Sequence, residues 1–387
     1  MSTLFTESEE RRALRKAVRD LGTKYGPTYF TECAKAGKKT DELWAEAGKL
    51  GYLGVAVPEE FGGGGGDIGD LAAVCEELAA AGCPLLMMVV SPAIVGTIVA
   101  QFGTPEQKQR WLPGFADGTL KMAFSITEPD AGSNSHKIIT TARRDGEDWL
   151  LSGGKTYISG VDEASHVLVV ARTEDAKTGK LSPTLFIVPT DSEGFTASEI
   201  DMGIVSPEKQ FTLFFDNVRV GADALVGQED AGIAQLFAGL NPERIMASSY
   251  ATGMARFALA KAISYAKERS VWDQPIGAHQ GIAHPLAQSH IEIEMARLMT
   301  QKASALLVAG DLMAAGEAAN MAKYAAGEAV CNAVDRAVQT HGGNGLAAEY
   351  GLVDMIAGSR LSRIAPVSRE MVLNFIAQFS LGLPKSY

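Results

Sequence analysis

The pattern of apolar and polar positions predicts a helical beginning for the chain. Stretches rich in Ala, Leu, Glu and Lys predict helices over residues 10–25, 41–50 and 70–80. Thr6-Glu7-Ser8-Glu9 has the form of a capping box at the start of the first helix. Residues 78–104 are uncharged over a length that imitates a membrane span, but prolines and polar residues interrupt them. We therefore expect two short buried helices joined at Ser91-Pro92.

The composition changes between about residues 121 and 225. Runs of β-branched and aromatic residues alternate there with turn signals, and they predict strands over 140–143, 148–151, 166–171, 184–188 and 211–215. Asp145-Gly146 is a good hairpin turn between the first two of these strands. The middle of the chain is therefore predicted to be a compact β domain.

From residue 231 the pattern becomes helical again. Asn241-Pro242 predicts the start of a long helix that ends near Ser270, because Asn is a preferred cap and Pro suits the first helical position. A second helix is predicted over 285–310, with Ile291, Met295 and Leu298 as its apolar face. Further helices are predicted over 317–339 and 367–381. The prediction is an α+β protein with a helical domain over 1–120, a β domain over 121–230 and a helical domain over 231–387.

Charge and composition exclude some classes of function. The 387 residues carry a net charge of −11, whereas nucleic-acid binding requires basic patches. The six histidines form no HExxH pattern, so we expect no metal site. The four cysteines form no CxxC pair, which predicts reduced thiols and a cytoplasmic protein.

Two polar segments carry the candidate chemistry. They are FSITEPDAGSN at 124–134 and GKTYISG at 154–160. On composition alone the first is a turn whose free backbone N–H groups suit an anion or a flat polar ring. Together with VPEEFGG at 57–63, GTPEQKQRWLP at 103–113, FDNVRV at 215–220, Arg269 and QTHGG at 339–343, these segments resemble the acyl-CoA dehydrogenase family. Several motifs in the same order make the resemblance specific.

The resemblance implies a fold and an activity. The fold would be an N-terminal α-helical domain, a middle β-barrel or sandwich domain and a C-terminal four-helix bundle. The activity would be oxidation of an acyl-CoA thioester to the trans-2-enoyl-CoA, as in the β-oxidation of fatty acids. FAD would accept the hydride, since no side chain does so. Electron-transfer flavoprotein would take the electrons, and the protein would be a homotetramer with neither nucleic acid nor membrane as partner.

The resemblance also bears on the catalytic base. Many family members carry a glutamate in a Tyr-Glu-Gly-Thr motif, but the matching stretch here is Ile364-Ala365-Pro366-Val367, with Ala365 at the glutamate position and Val367 at the threonine position. Isovaleryl- and long-chain-type members place the base just before an Arg of the long helix, which is Glu243 here. Without the resemblance, an acid in a helix's first turn is explained by the helix dipole. With it, Glu243 is the expected base, with a pKa raised by burial.

The cofactor and substrate contacts are also implied by the resemblance. One half of the FAD site would be Phe124, Ile126, Thr127, Gly132, Ser133, Tyr157, Ile158 and Ser159, with Tyr157 where the family usually has Trp. The other half, from a neighbouring subunit, would be Arg269, Trp272, Gln280, Gln339, Gly342 and Gly343. Ser133, Asn241 and Arg244 would contact the substrate. The alternatives are ordinary ones: turn chemistry for Ser133, a core aromatic for Tyr157 or Trp272, and an exposed arginine for Arg269.

Two other functions remain open from the sequence. One is an oxygen-using acyl-CoA oxidase or flavin monooxygenase-like relative. The other is a non-catalytic acyl-CoA-binding partner subunit, which the altered stretch at 365–367 favours. The acyl chain is not specified, although Glu243 at the alternative position favours branched or longer substrates by resemblance.

Overall fold

The computed structural model describes residues 7–174, 179–229 and 231–385. Its first part is helical. The helices are α1 (Glu9–Lys35), α2 (Asp41–Lys49), α3 (Ile68–Ala80), α4 (Thr97–Phe102) and α5 (Pro105–Asp117). The Ser8 side chain caps α1 by accepting a hydrogen bond from the Arg11 N–H, while the expected cap at Thr6 lies outside the described residues. Capping boxes open α3 at Asp67 and α5 at Thr104.

The apolar run at 78–104 differs from the prediction. Ser91 and Pro92 do not join two helices, because they lie inside one buried π-helical segment, Val89–Gly96, that continues directly into α4. The wider π turns tolerate Pro92 without a break in the helical path. In the part of the chain that the structure describes, no helix combines the length and the apolar character that crossing a membrane requires.

The middle part is one mixed sheet. Its strands are β1 (Met122–Ser125), β2 (Thr141–Asp145), β3 (Asp148–Ser159), β4 (His166–Glu174), β5 (Leu181–Pro189), β6 (Phe195–Ile200), β7 (Gln210–Val220) and β8 (Leu225–Val226). The order is β6-β7-β3-β2-β4-β5-β8, and β1 pairs with β4 in parallel. The described strands therefore form an open sheet and no closed barrel. The predicted hairpin is present, with Asp145 opposite Asp148 and Gly146 at φ 68°.

The last part is a bundle of helices. It contains α6 (Gly232–Glu268), a small hairpin of β9 (Ser270–Val271) and β10 (Gln274–Pro275), α7 (Gln280–Val308), α8 (Leu312–His341), α9 (Met355–Ile364) and α10 (Arg369–Phe375), which ends in a π turn at Ile376–Ser380. Helices α6, α7 and α8 pack through small side chains such as Ala255, Ala296 and Ala333. The order of helices, sheet and helices confirms the α+β arrangement; the exact domain boundaries stay predictions.

One helix start in this bundle was predicted wrongly, and one helix was missed. Asn241-Pro242 does not begin a helix, because α6 starts nine residues earlier and includes both residues. The preceding turns are held by packing: Leu236 is buried, and a Cβ at Gly239 would lie 2.7 Å from the Ile98 side chain. Such contacts outweigh the local preference of Pro. The single helix predicted over 367–381 was preceded by one the sequence did not reveal, α9.

The apolar face of α7 was also assigned to the wrong side. Ile291, Met295 and Leu298 are exposed. The side of α7 that packs against the rest of the protein instead carries Ile293 and Ala296, together with hydroxyl residues. Glu292 and Arg297 lie on the packed side of α7 and form ion pairs with Arg336 and Glu76.

Candidate active site

The two polar segments that the sequence singled out lie against each other. The Thr156 N–H donates to the carbonyl oxygen of Thr127 at 2.9 Å. The Lys155 Nζ donates to the carbonyl oxygen of Ile126 at 3.1 Å. Strand β3 therefore fixes the backbone of the loop that leaves β1, and the sheet brings Ile126 and Thr127 close to Tyr157.

A buried ion pair holds this junction. Lys155 and Glu128 are buried, and Nζ lies 2.9 Å from Oε1. Glu128 also accepts from the N–H groups of Ile139 at 2.6 Å and Thr140 at 3.0 Å. Burial opposes ionisation of Glu128, but the hydrogen bonds from Thr140 and Ile139 and the contact with Lys155 hold its pKa below the usual value. Burial lowers the pKa of Lys155 to about 8, against the attraction of Glu128.

Tyr157 stands out from the sheet. It has φ 57° at an irregularity between Lys155 and Ile158 in the β3–β7 pairing, and it is 60% exposed. The alternative of a core aromatic is therefore wrong. Ile158 is buried, and the Ser159 hydroxyl donates to Oε1 of Gln210 at 3.1 Å.

The other residues expected in the first half of the FAD site differ in exposure. Phe124 is buried in β1, and Ile126 and Thr127 are half-buried where that strand ends. Gly132 and Ser133 are exposed in the following loop, and a Cβ at Gly132 would meet nothing within 4 Å. The loop therefore leaves open space beside its backbone.

A second group of expected contacts lies at one end of the helical bundle. Tyr265 near the end of α6 stacks on His341 at the end of α8, with ring centroids 4.2 Å apart, and accepts from Asn344 Nδ2 at 3.1 Å. This contact holds the two helix ends together. The expected residues around them are all exposed: Arg269, Trp272, Gln280, Gln339, Gly342 and Gly343.

Their exposure excludes the core alternative for Trp272 and is consistent with both interpretations of Arg269. Trp272 is 84% exposed, so it is not a core aromatic of this chain. Arg269 forms no ion pair with any residue that the structure describes. An exposed Trp and an unpaired Arg suit a flat anionic ligand held partly by another surface.

Glu243 lies in the interior of α6, more than two turns from its start. The helix dipole therefore does not account for an acid at this position. Glu243 is half-buried, and no described residue donates a hydrogen bond to its carboxylate. Burial raises its pKa to about 7, and the neighbouring Arg244 only partly offsets this.

Arg244 follows Glu243 in α6, and Lys323 of α8 lies close enough to Arg244 for their charges to interact. Arg244 Nη1 donates to the carbonyl oxygen of Leu240 at 3.0 Å and approaches Asn241 Oδ1 at 3.4 Å. Burial lowers the pKa of Lys323 on α8 to about 8, and repulsion from Arg244 acts in the same direction. The sequence analysis missed Lys323. The signal was its position among Ala319, Ala322 and Ala326 on the buried side of α8.

Lys323 connects this group to the altered stretch after α9. Its Nζ donates to the carbonyl oxygen of Val367. Ala365, Pro366 and Val367 carry no ionisable side chain, so nothing in the stretch itself accepts a proton. Burial brings the pKa of the nearby Glu243 carboxylate into the range useful for general base catalysis.

The comparisons with known proteins agree along the whole chain. The N-terminal, middle and C-terminal domain profiles of acyl-CoA dehydrogenases match residues 8–119, 123–218 and 230–381. Acyl-CoA dehydrogenase FadE12 of Mycobacterium tuberculosis is 66% identical over 385 residues, covering 100% of this chain and 99% of that protein. The mitochondrial long-chain specific acyl-CoA dehydrogenase of Rattus norvegicus is 31% identical, covering 96% of this chain and 86% of its own.

A solved structure extends the comparison to the cofactor. A glutaryl-CoA dehydrogenase from Mycobacterium smegmatis in complex with FADH2 aligns with a TM-score of 0.88 at 27% identity, covering 98% of this chain and 96% of that chain. The residues described above fit FAD, since an exposed Tyr157 beside an open loop and an unpaired Arg269 suit a ring and a diphosphate. The chain therefore belongs to the acyl-CoA dehydrogenase family of FAD-dependent oxidoreductases.

Proposed function

We propose that the protein converts an acyl-CoA thioester to the trans-2-enoyl-CoA, with Glu243 as the base that removes the α proton. The observation that carries this proposal is the pKa of Glu243, which burial raises to about 7. The stretch at 365–367, where many relatives carry the base, offers no carboxylate.

The proposed reaction breaks one C–H bond at the α carbon and one at the β carbon. The α C–H bond breaks heterolytically, and its proton goes to the Glu243 carboxylate. FAD, when bound, supplies the acceptor for the β hydride. The remaining electron pair forms the double bond between the α and β carbons. Because a base works best when its pKa lies near the operating pH, the desolvation of Glu243 serves the reaction directly.

Arg244 and Asn241 form one unit in this proposal. Asn241 is buried and its amide oxygen lies near Arg244 Nη1, so its proposed role is to position the guanidinium. The Arg244 Nε is buried without a partner among the described residues, which leaves a donor for substrate. Ser133, exposed on its loop, is the proposed contact to the CoA part of the substrate.

The FAD contacts are proposed in two halves. The first half is Phe124, Ile126, Thr127, Gly132, Ser133, Tyr157, Ile158 and Ser159; the second, from a neighbouring copy, is Arg269, Trp272, Gln280, Gln339, Gly342 and Gly343. Electron-transfer flavoprotein is the proposed acceptor of the electrons, by family resemblance. Cytoplasmic placement stays a prediction from the cysteines, all four of which are free.

The test replaces Glu243 by Gln. Glu243→Gln keeps the size of the side chain and removes its basicity. Flavin content and acyl-CoA binding should stay close to those of the unmodified protein, while flavin reduction slows by roughly a hundredfold or more. The measurement is anaerobic bleaching of the flavin after mixing with acyl-CoA. Near-normal bleaching in the variant would show that the base lies elsewhere.

The same reduced protein separates the dehydrogenase from an oxygen-using enzyme. After anaerobic reduction, a dehydrogenase should react slowly with dissolved oxygen and rapidly with electron-transfer flavoprotein. Rapid oxygen consumption at the turnover rate would instead favour the oxidase alternative. The outcome of this experiment does not depend on which residue is the base.

A further inference from the structure

A cavity lies where all three parts of the chain meet. Its walls come from the kink in α1, the loop after α3, the segment before β7, and helices α6 and α9. The lining is mostly apolar, and its larger side chains are Phe30, Leu86, Met202, Ile204, Met254 and Phe257. Nothing in the sequence motifs pointed to this cavity.

The cavity follows the face of α6 that carries Glu243. Tyr250, Met254, Phe257 and Lys261 all line it. They lie seven, eleven, fourteen and eighteen residues after Glu243, which places all five side chains on one side of an α-helix. At a rise of about 1.5 Å per residue, Met254 lies about 16 Å along the axis from Glu243. A butyryl group does not span this length, and a palmitoyl group does.

Two other contacts connect the cavity with the proposed reaction site. Gln210 lines the cavity and accepts the hydrogen bond from Ser159. Leu361 of α9 also lines it, one turn before Ala365. The cavity therefore borders both the proposed flavin half and the helix end beside Lys323.

Several polar groups in the cavity already have partners within the chain. Glu208 accepts from the Leu86 N–H at 2.9 Å and from the Ser206 hydroxyl at 2.6 Å. Burial raises the pKa of Glu208, which favours its neutral form. At the end far from Glu243, Asp354 pairs with Lys35 at 3.0 Å, and Lys261 Nζ lies 5.5 Å from the centroid of the Phe257 ring. An apolar ligand in the cavity leaves these contacts intact.

We propose that this cavity holds the distal part of a long aliphatic acyl chain whose α carbon lies at Glu243. The inference rests on the proposed function and adds the substrate class, a long unbranched acyl-CoA. Methionines such as Met202 and Met254 are flexible and suit a chain of variable conformation. Filling the cavity should shorten the acyl chain that the enzyme prefers without changing the reaction at the thioester end.

Gly358 of α9 offers a matched pair of variants. A Cβ at this position would lie 3.6 Å from Met254 Cε and 4.0 Å from Ile204 Cγ2, which is ordinary contact. Gly358→Ala should therefore be accommodated, whereas Gly358→Leu places its branched end in the cavity. The measurement is kcat/KM with palmitoyl-CoA and with butyryl-CoA, together with the flavin content of each protein.

The expected result is selective. Gly358→Leu should lose at least about tenfold in kcat/KM for palmitoyl-CoA and less than about twofold for butyryl-CoA, while Gly358→Ala and the flavin content stay unchanged. An equal loss for both substrates, or no loss for either, would overturn the proposal. A loss of flavin only in Gly358→Leu would show that the cavity belongs to the cofactor, and would also overturn it.

Binding measurements keep this test separate from that of the proposed function. If neither ester bleaches the flavin of the unmodified protein, the dehydrogenase proposal fails, and calorimetric binding of the two esters then decides about the cavity. Weaker binding of palmitoyl-CoA alone in Gly358→Leu supports the cavity assignment, and unchanged binding contradicts it. If Gly358→Leu does not fold, Ile204→Phe fills the cavity from the opposite wall, with Ile204→Val as its control.

Discussion

At the scale of single residues, the ionisation of Glu243 sets when the proposed base acts. Its pKa is raised to about 7 because burial disfavours the charged carboxylate. A base must be deprotonated, so the rate of flavin reduction at low substrate should rise with pH through about 7 and level off above it. Stopped-flow bleaching across the pH range measures this profile. A rate that is flat between about pH 5 and 9 would contradict the assignment, and Glu243→Gln should lack the rising limb.

Arg269 gives a second residue-scale prediction. It is an exposed arginine with no ion pair among the described residues, and it is proposed to bind the FAD diphosphate of a neighbouring copy. Arg269→Ala removes that charge and should lower the flavin retained after dialysis, because a phosphate loses its partner. The absorbance of bound flavin relative to protein measures retention. Arg143→Ala, an exposed arginine of the middle part, is the control. Full flavin in Arg269→Ala would count against a shared site.

At the scale of elements, the Lys155–Glu128 pair predicts how β3 supports the loop after β1. Lys155→Met leaves the Glu128 carboxylate buried without its cation, which typically costs about 3–5 kcal/mol of unfolding free energy. The Ile126 carbonyl also loses its donor, so flavin content should fall. Denaturant unfolding measures the first effect and absorbance the second.

The control is a solvent-exposed ion pair on α1. Lys16 and Asp20 are paired at 2.8 Å on the surface of α1, and both side chains are more than half exposed. Lys16→Met should change the unfolding free energy by less than about 1 kcal/mol and leave flavin unchanged. Similar effects of Lys155→Met and Lys16→Met would show that the buried pair does not support the loop.

The sequence predicted the elements where local signals and packing agree. The hairpin at Gly146 is such an element, because its turn signal is local and was identified in the sequence. The capping boxes at Asp67 and Thr104 are local features too, although they were not predicted. The start of α6 is different, because the fit of Gly239 against Ile98 decides it and neither residue signals the other in sequence. The same holds for the hydrogen bond from Lys323 to Val367, which joins two elements far apart in the chain.

The candidate site follows the same rule. Thr127 and Tyr157 belong to the two segments that the family resemblance singled out, and these segments lie close together because the Thr156 N–H donates to the Thr127 carbonyl oxygen. The cavity beside Tyr250 was not identified from sequence, because its walls come from all three parts and each wall residue is an ordinary apolar side chain. Apolar spacing alone predicts which side of a helix is buried, but not which empty space that side will border.

At the scale of the whole molecule, the exposed surface of α7 bears on the proposed tetramer. Residues 314–329 of α8 are rich in alanine, but most of these alanines are buried within the chain and offer little apolar surface. The excess apolar surface is on α7 instead. Ile291, Met295 and Leu298 are 58%, 57% and 49% exposed at a spacing that aligns them in one stripe.

This stripe predicts where copies of the chain meet. An exposed apolar stripe on a long helix is unusual for a monomer and suits a self-complementary contact between identical helices. Light scattering at micromolar concentration should give the mass of a tetramer for the unmodified protein and a lower mass for Met295→Lys, because a buried charge opposes the contact. Leu50→Lys, at an exposed leucine after α2, should leave the mass unchanged. A monomeric unmodified protein would refute the assembly, and an intact tetramer in Met295→Lys would place the contact on another surface. If FAD is shared between copies, Met295→Lys should also lose flavin, so mass and flavin content should fall together.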